Sequence, residues 1–189
     1  VTGVQTCALP ILPDAESSVV ACGAGEVWDS IVARTVEAGL SGLECLSGIP
    51  GTAGGTPVQN VGAYGQEVAA VIAAVSVVDR RDGTARELPG AECGFAYRMS
   101  RFKREDVDRF VVTGVTFRLK PGQPTVAYPD LIAYLEQRAI MSPSLRDARD
   151  AVLANRRRKG MVLDDSDADT RSVGSFFMNR SEEHTSELQ

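Results

Sequence analysis

The segment Gly48-Ile-Pro-Gly-Thr-Ala-Gly-Gly-Thr-Pro-Val-Gln-Asn-Val-Gly-Ala-Tyr-Gly65 decides how the rest of the chain is read. It is dense in glycine and carries Pro50 and Pro57, yet it also holds Ile49, Val58, Val61 and Tyr64. A surface linker is polar and has little to bury. Here backbone-permissive residues alternate with apolar anchors. Glycine allows positive φ and lets a ligand approach with no Cβ in the way, and peptide N–H groups in such a turn can cradle a phosphate. A tight buried turn is the plainer reading of the glycines. The spacing fits neither the dinucleotide fingerprint nor the phosphate-binding Walker loop.

Outward from this segment, the chain alternates strand-like and helix-like runs. Ser17 to Ala24 is Val-rich and reads as a strand. Glu26 to Ala38 reads as a helix, with Val27, Trp28, Ile31, Val32 and Val36 at helical spacing and Gly39 as its C-terminal cap. Trp28 on that stripe reads as a core residue. Leu40 to Leu46 leads into the glycine-rich segment. Val68 to Val78 is a Val/Ile/Ala strand, Asp79 to Gly83 a turn, and Thr84 to Leu88 the return strand of a hairpin. Phe110 to Leu119 is a further strand, and Lys120 to Pro124 has linker composition. Pro129 to Gln137 suggests a short helix. Ser142-Pro143 predicts an N-cap and first helical position for a helix reaching Arg158, where Arg156-Arg-Arg-Lys159 suits the macrodipole. Such a charge run usually marks a solvated helix end. Asp164 to Arg171 reads as a polar loop. Mixed helices and strands with hairpins favour an α+β fold over a doubly wound sheet.

Composition narrows the function classes. The chain has 189 residues and a net charge of −5 with both signs interspersed, which argues against a nucleic-acid footprint. No apolar run approaches the roughly 20 residues of a membrane span. Cys7, Cys22, Cys45 and Cys93 are scattered without a C-x-x-C pair, so neither a metal site nor a redox motif is suggested. A reduced, cytoplasmic compartment follows most simply.

Three stretches in order carry a specific resemblance: Gly48-Ile-Pro-Gly with Pro57-x-Gln-Asn-x-Gly-Ala-Tyr-Gly65, then Phe95-Ala-Tyr-Arg-Met-Ser-Arg-Phe-Lys103, then Gly174-Ser-Phe-Phe-Met-Asn179. Together they resemble the UDP-N-acetylenolpyruvoylglucosamine reductase family over roughly Pro13 to Asn179. That family reduces an enolpyruvyl sugar nucleotide to UDP-N-acetylmuramate for peptidoglycan, with FAD and NADPH as cofactors. The resemblance implies the second subdomain of a two-part FAD-binding fold at 12–120 and the start of a substrate-binding domain at 121–179. It implies that Gly48, Ile49, Pro50, Gly51, Gly55, Thr56, Gln59, Asn60, Gly62 and Tyr64 lie against the flavin and its diphosphate. The plainer role for Gln59 and Asn60 is turn-stabilising amide bonding.

Arg98 matches the family arginine at the substrate carboxylate, where a fixed cation stabilises charge that develops in the transition state. On pattern alone, an arginine among aromatics reads as a stacked structural residue. Ser175 matches the family serine that delivers a proton; without the resemblance it reads as a turn hydroxyl bonded to backbone. Tyr128, Lys159 and Asn179 are implied substrate ligands. The partner is then a small sugar nucleotide, with no nucleic acid, no membrane and a monomeric enzyme. Another flavoprotein of the same superfamily, or a non-catalytic sugar-nucleotide-binding module, are the alternatives.

The ends read differently. Residues 1–11 and 180–189 resemble translated sequencing adapter, and Arg180 stands where the family continues with Pro. The only histidine, His184, lies in that tail. The resemblance further leads one to expect a phosphate-loop subdomain before Pro13 and a catalytic glutamate after Asn179. Neither is in the sequence, so the chain alone is expected to be inactive.

Overall fold

The computed structural model describes residues 12–13, 18–164, 166 and 170. Its elements in order are β1 (Leu12–Pro13), β2 (Ser18–Gly23), α1 (Trp28–Glu37), β3 (Leu40–Ser41), β4 (Gly62–Ala63), β5 (Gln66–Glu67), β6 (Ile72–Asp79), β7 (Ala85–Pro89), β8 (Phe110–Pro121), α2 (Pro129–Glu136) and α3 (Leu145–Arg158). The main sheet runs β1-β2-β8-β6-β7, every neighbour antiparallel, with β3 added beside the end of β8; β4 and β5 form a separate ribbon. The α+β expectation holds.

The twelve-residue β8 is the spine. Its Val115, Phe117 and Leu119 alternate inward and are buried, as the period of two requires. Cys22 and Val75 flank Val115; Val20 and Ile72 flank Phe117. Helix α1 lays Trp28, Ile31, Val32 and Val36 on this face. The Trp28 and Phe117 rings sit 5.8 Å apart, and the indole N–H donates to the Leu46 carbonyl at 3.0 Å. Each such side chain contributes about 1.5–3 kcal/mol by leaving water. Gly39 takes φ +73 and ends the helix, donating its N–H to Val36.

Helices α2 and α3 pack on each other over a second cluster, Leu131, Leu135, Ala151 and Val152. Cys45 belongs to that cluster too, so the helix pair is seated on the turn that leads into the glycine-rich segment.

Three boundaries differ from the sequence reading. Val68–Ala70 is a 3₁₀ turn, and the strand begins at Ile72. The Asn60 side-chain oxygen accepts the Ala69 N–H at 3.1 Å, which holds that turn out of the sheet. Strand β8 runs on through Pro121 because Leu40 and Ser41 pair with Pro121 and Lys120. The N-cap of α3 is Ser144, not Ser142. Ser144 forms a reciprocal capping box with Asp147, which satisfies two otherwise orphan N–H groups, and Pro143 precedes the cap rather than following it.

Candidate active site

Residues 49–61 fold as a loop fixed mainly by backbone. The N–H groups of Trp28, Ala53 and Gly54 donate to Gly51, Glu26 and Ala24 at 2.9–3.0 Å. A Cβ on Gly54 would lie 2.5 Å from the Ala24 Cβ, so only glycine allows this approach to the end of β2. The result is an open cleft of about 150 Å³ lined by Trp28, Ile49, Pro50, Gly51, Thr52, Gly55, Thr56, Gln59 and Val61. Six of the ten residues expected at the cofactor line it.

The lining suits part of a dinucleotide cofactor. Trp28, Ile49 and Val61 make an apolar floor. Space beside Gly51 and Gly55 is open, with no atom within 4 Å of where a Cβ would stand. Among the described residues no acceptor meets the N–H groups of Gly51 and Thr52, both exposed at the rim, and such groups suit a phosphate oxygen. The cleft is smaller than the roughly 300–1,000 Å³ of whole ligand pockets, so it has room for no more than a segment of a ligand the size of FAD. The donor set and shape fit.

The other four expected cofactor residues lie elsewhere. Gly48 has φ +69 and turns toward α3, where a Cβ would meet Leu153 at 2.8 Å. Asn60 is buried at φ +48, and its amide donates to the Glu67 carboxylate at 2.8 Å and the Ala96 carbonyl at 3.0 Å. Gly62 packs against Glu67 and Gln66. Tyr64, at φ +50, stands edge-on to Tyr128 with ring centres 5.3 Å apart.

Arg98 comes from the second motif. At φ +52 it reaches back to the first, donating Nη2 to the Gly62 carbonyl, with its guanidinium 5.7 Å from the Tyr97 ring centre. Ser100, fully buried, donates its hydroxyl to the Val58 carbonyl. The two motifs are therefore stitched together at Asn60–Ala96, Gly62–Arg98 and Val58–Ser100. Behind Arg98 the loop is held by charge. Asp106 accepts from Arg101 and Arg109, and Asp79 from Arg109 and Arg86. The Arg81 amide N–H and the Arg109 guanidinium hold Asp79 below the usual carboxylate range. Burial works to raise Asp106, but Arg101 and Arg109 outweigh it and hold it low.

Lys159 and Tyr128 gather near Tyr64. Lys159 Nζ lies 3.3 Å from Asp130 at the start of α2. Burial raises the Tyr64 phenol, while Lys159 and Arg156 pull it down. Ser175 and Asn179, with the Gly174 motif, lie outside the described residues.

Sequence pattern makes Arg156 part of a solvated helix-end charge run. Instead it is partly buried, its Nη2 donates to the Met161 carbonyl at 2.9 Å, and its Nε is a buried donor without an acceptor. Burial lowers its affinity for the proton, with Tyr64 and Asp29 acting the other way. The signal was available: Arg156 falls four residues after Val152 on the buried stripe of α3.

The FAD binding domain family matches residues 11–89. The UDP-N-acetylenolpyruvoylglucosamine reductase of Salinispora arenicola is 52% identical over 168 residues, 88% of this chain and 46% of that protein. The Thermobifida fusca reductase of the same name is 54% identical over 159 residues, 82% of this chain and 44% of its own length. The crystal structure of UDP-N-acetylenolpyruvylglucosamine reductase (MurB) from Thermus caldophilus superposes with a TM-score of 0.51 at 32% identity, covering 74% of this chain and 43% of that one. The chain spans a little under half the length of these curated relatives. On the residues matched and the loops they build, the chain belongs to the UDP-N-acetylenolpyruvoylglucosamine reductase family.

Proposed function

We propose that the chain is the flavin- and substrate-facing part of an NADPH-dependent UDP-N-acetylmuramate dehydrogenase, with residues 12–120 serving the cofactor and 121–179 opening the substrate domain. One observation carries the reading: Arg98, from the second motif, is fixed on the Gly62 carbonyl, on the same segment that lines the cleft and, two residues on, presents Tyr64 to Tyr128. When bound there, FAD reduced by NADPH would supply the hydride that C3 of the enolpyruvyl group receives.

The chain's own residues do the rest. The Gly51 and Thr52 amides hold phosphate at the cleft rim, and Trp28, Ile49 and Val61 keep water from the apolar face of the cofactor. Arg98 binds the enolpyruvyl carboxylate and stabilises the enediolate-like charge that accumulates there after hydride arrives; its planar fork suits a carboxylate better than a lysine would. Ser175 gives a proton to C2. As a weak acid, the hydroxyl needs a strongly basic carbon and fixed geometry. Tyr128 and Lys159 hold the substrate diphosphate, the lysine by charge and the tyrosine by its hydroxyl, and Asn179 is a further substrate ligand. The biological setting is a cytoplasmic step of peptidoglycan precursor synthesis, carried out by a monomer and so contributing to cell shape and division.

The test is a chimera in which residues 12–179 replace the segment they match in the Thermobifida fusca reductase. It should retain a visible flavin spectrum and oxidise NADPH only when the enolpyruvyl sugar nucleotide is present. Flavin retention with no dependence on that sugar nucleotide would contradict the assignment.

A further inference from the structure

The Asp29 carboxylate is shared between two parts of the site. On one side Oδ1 accepts the Gly48 N–H at 2.6 Å. On the other, Arg149 of α3 grips both oxygens at 2.7 and 2.8 Å. Gly48 begins the cleft loop. Arg149 lies on the face of α3 that continues through Leu153 and Arg156 to Lys159, and a Cβ on Gly48 would stand 2.8 Å from Leu153 Cδ2 and 3.4 Å from Arg156 Nε. A bidentate arginine–carboxylate pair fixes direction as well as distance.

We infer that Asp29 is a positioning residue: it locks the Gly48 turn to helix α3, so that the cleft loop and the helix end bearing Arg156 and Lys159 keep one fixed relation. The significance for catalysis rests on the function proposed above; the coupling itself does not. Without Asp29, the Gly48 N–H loses its acceptor and α3 loses its only ion pair to α1 among the described residues. Cofactor contacts and substrate-diphosphate contacts would then shift independently. The charged groups facing Asp29 are Arg149 and Arg156, both from α3, together with the Gly48 N–H. Burial works to raise Asp29, and these groups outweigh it and lower it. The lock is therefore complete above the ordinary aspartate pKa of about 3.9 and is released as pH falls through the lower native value.

The experiment is amide hydrogen exchange in the full 189-residue chain, read at Gly48 and, as reference, at Val32–Val36 in α1. The wild type should keep Gly48 protected through pH 4 and lose that protection at lower pH. Asp29→Asn, which keeps an acceptor but no charge, should remove the pH step. Arg149→Met should speed Gly48 exchange about tenfold or more, the scale of a lost charged hydrogen bond, and move the step toward the ordinary aspartate pKa. The α1 reference should stay within twofold. Arg149→Lys keeps charge without the fork; it should fall between Met and wild type, and it covers the case in which Met prevents folding. Gly48 exchange that is unchanged in Arg149→Met, or that rises only in parallel with α1, would overturn the inference. A chimera that failed to oxidise NADPH would instead count against the proposed function and leave the exchange result intact.

Discussion

The two loops that meet at Gly62 and Arg98 differ in what is added to their backbone hydrogen bonds. The 49–61 loop is held by backbone hydrogen bonds and by the absence of side chains at close approaches, as where Gly54 lies on Ala24. The 95–109 loop has backbone bonds of its own, such as the Arg101 N–H to the Cys93 carbonyl, and adds to them a frame of side-chain charge through Asp79, Asp106, Arg101 and Arg109. Backbone bonds do not titrate, so beyond the Asp29 lock at Gly48 the first loop should respond little to pH, yet fail on the addition of one methyl group. Ion pairs tolerate small changes in volume but depend on ionisation. The cleft loop is thus rigid by packing, whereas Arg98 sits in a loop that adds a frame of charge. Asn60 joins the two, because its one side chain bonds Ala96 in one loop and Glu67 and Ala69 in the other's continuation.

The contrast can be broken most severely at Gly54. Gly54→Ala should cost about 3 kcal/mol, the upper end of ordinary overpacking, because its Cβ would meet Ala24 side chain and backbone at 2.5–3.1 Å. Thermal unfolding by circular dichroism reads it. A loss under about 1 kcal/mol would mean that the loop adapts and its fit is not what holds it.

Next in size is the joint. Asn60→Ala should cost about 2 kcal/mol, since it strips buried groups of partners and leaves alanine at positive φ. Both loops should loosen together in hydrogen exchange. Loosening of one alone would show that they are independent.

A smaller effect sharpens the contrast by pH. Asp79 and Asp106 have lowered native pKa values. Their stabilisation is present above the unfolded value of about 3.9 and is lost as pH falls through the native one. Limited proteolysis at low pH should therefore cut within 101–109 before it cuts within 52–56. Simultaneous cleavage would contradict the division. Asp106→Asn should bring that sensitivity up to neutral pH. Smallest, and outside both loops, Ser144→Ala should cost about 1 kcal/mol through the lost N-cap, with exchange of neither loop altered.

The difference between the loops also explains what was legible in the sequence. Glycine and apolar periodicity announce backbone-built structure, so the cleft segment, α1, β6, β7 and β8 were all readable within a few residues. Charge-built structure was not. Arg101, Asp106 and Arg109 look like ordinary surface residues, and nothing local says that Asp79 is 1% exposed and meets Arg109 thirty positions away. Glu44 is hidden for the same reason: fully buried, it is satisfied by the Gly42 N–H and the Gln66 amide, a partner set that exists only after folding. The N-cap of α3 was misplaced because Ser142-Pro143 offers the stronger dipeptide signal, while Ser144 wins through Asp147 three residues on. Arg98 was found only through its motif. Nothing local announces its positive φ or its bond to Gly62.

The most direct test of the central claim is Arg98→Ala in the Thermobifida fusca chimera, with flavin content and substrate-dependent NADPH oxidation measured side by side. If Arg98 stabilises charge on the enolpyruvyl carboxylate, turnover should fall by roughly 10²–10³-fold, as for the loss of a transition-state donor, while flavin content stays at the parent level. Turnover within a factor of a few of the parent, or a loss of activity that merely follows a loss of flavin, would contradict the account.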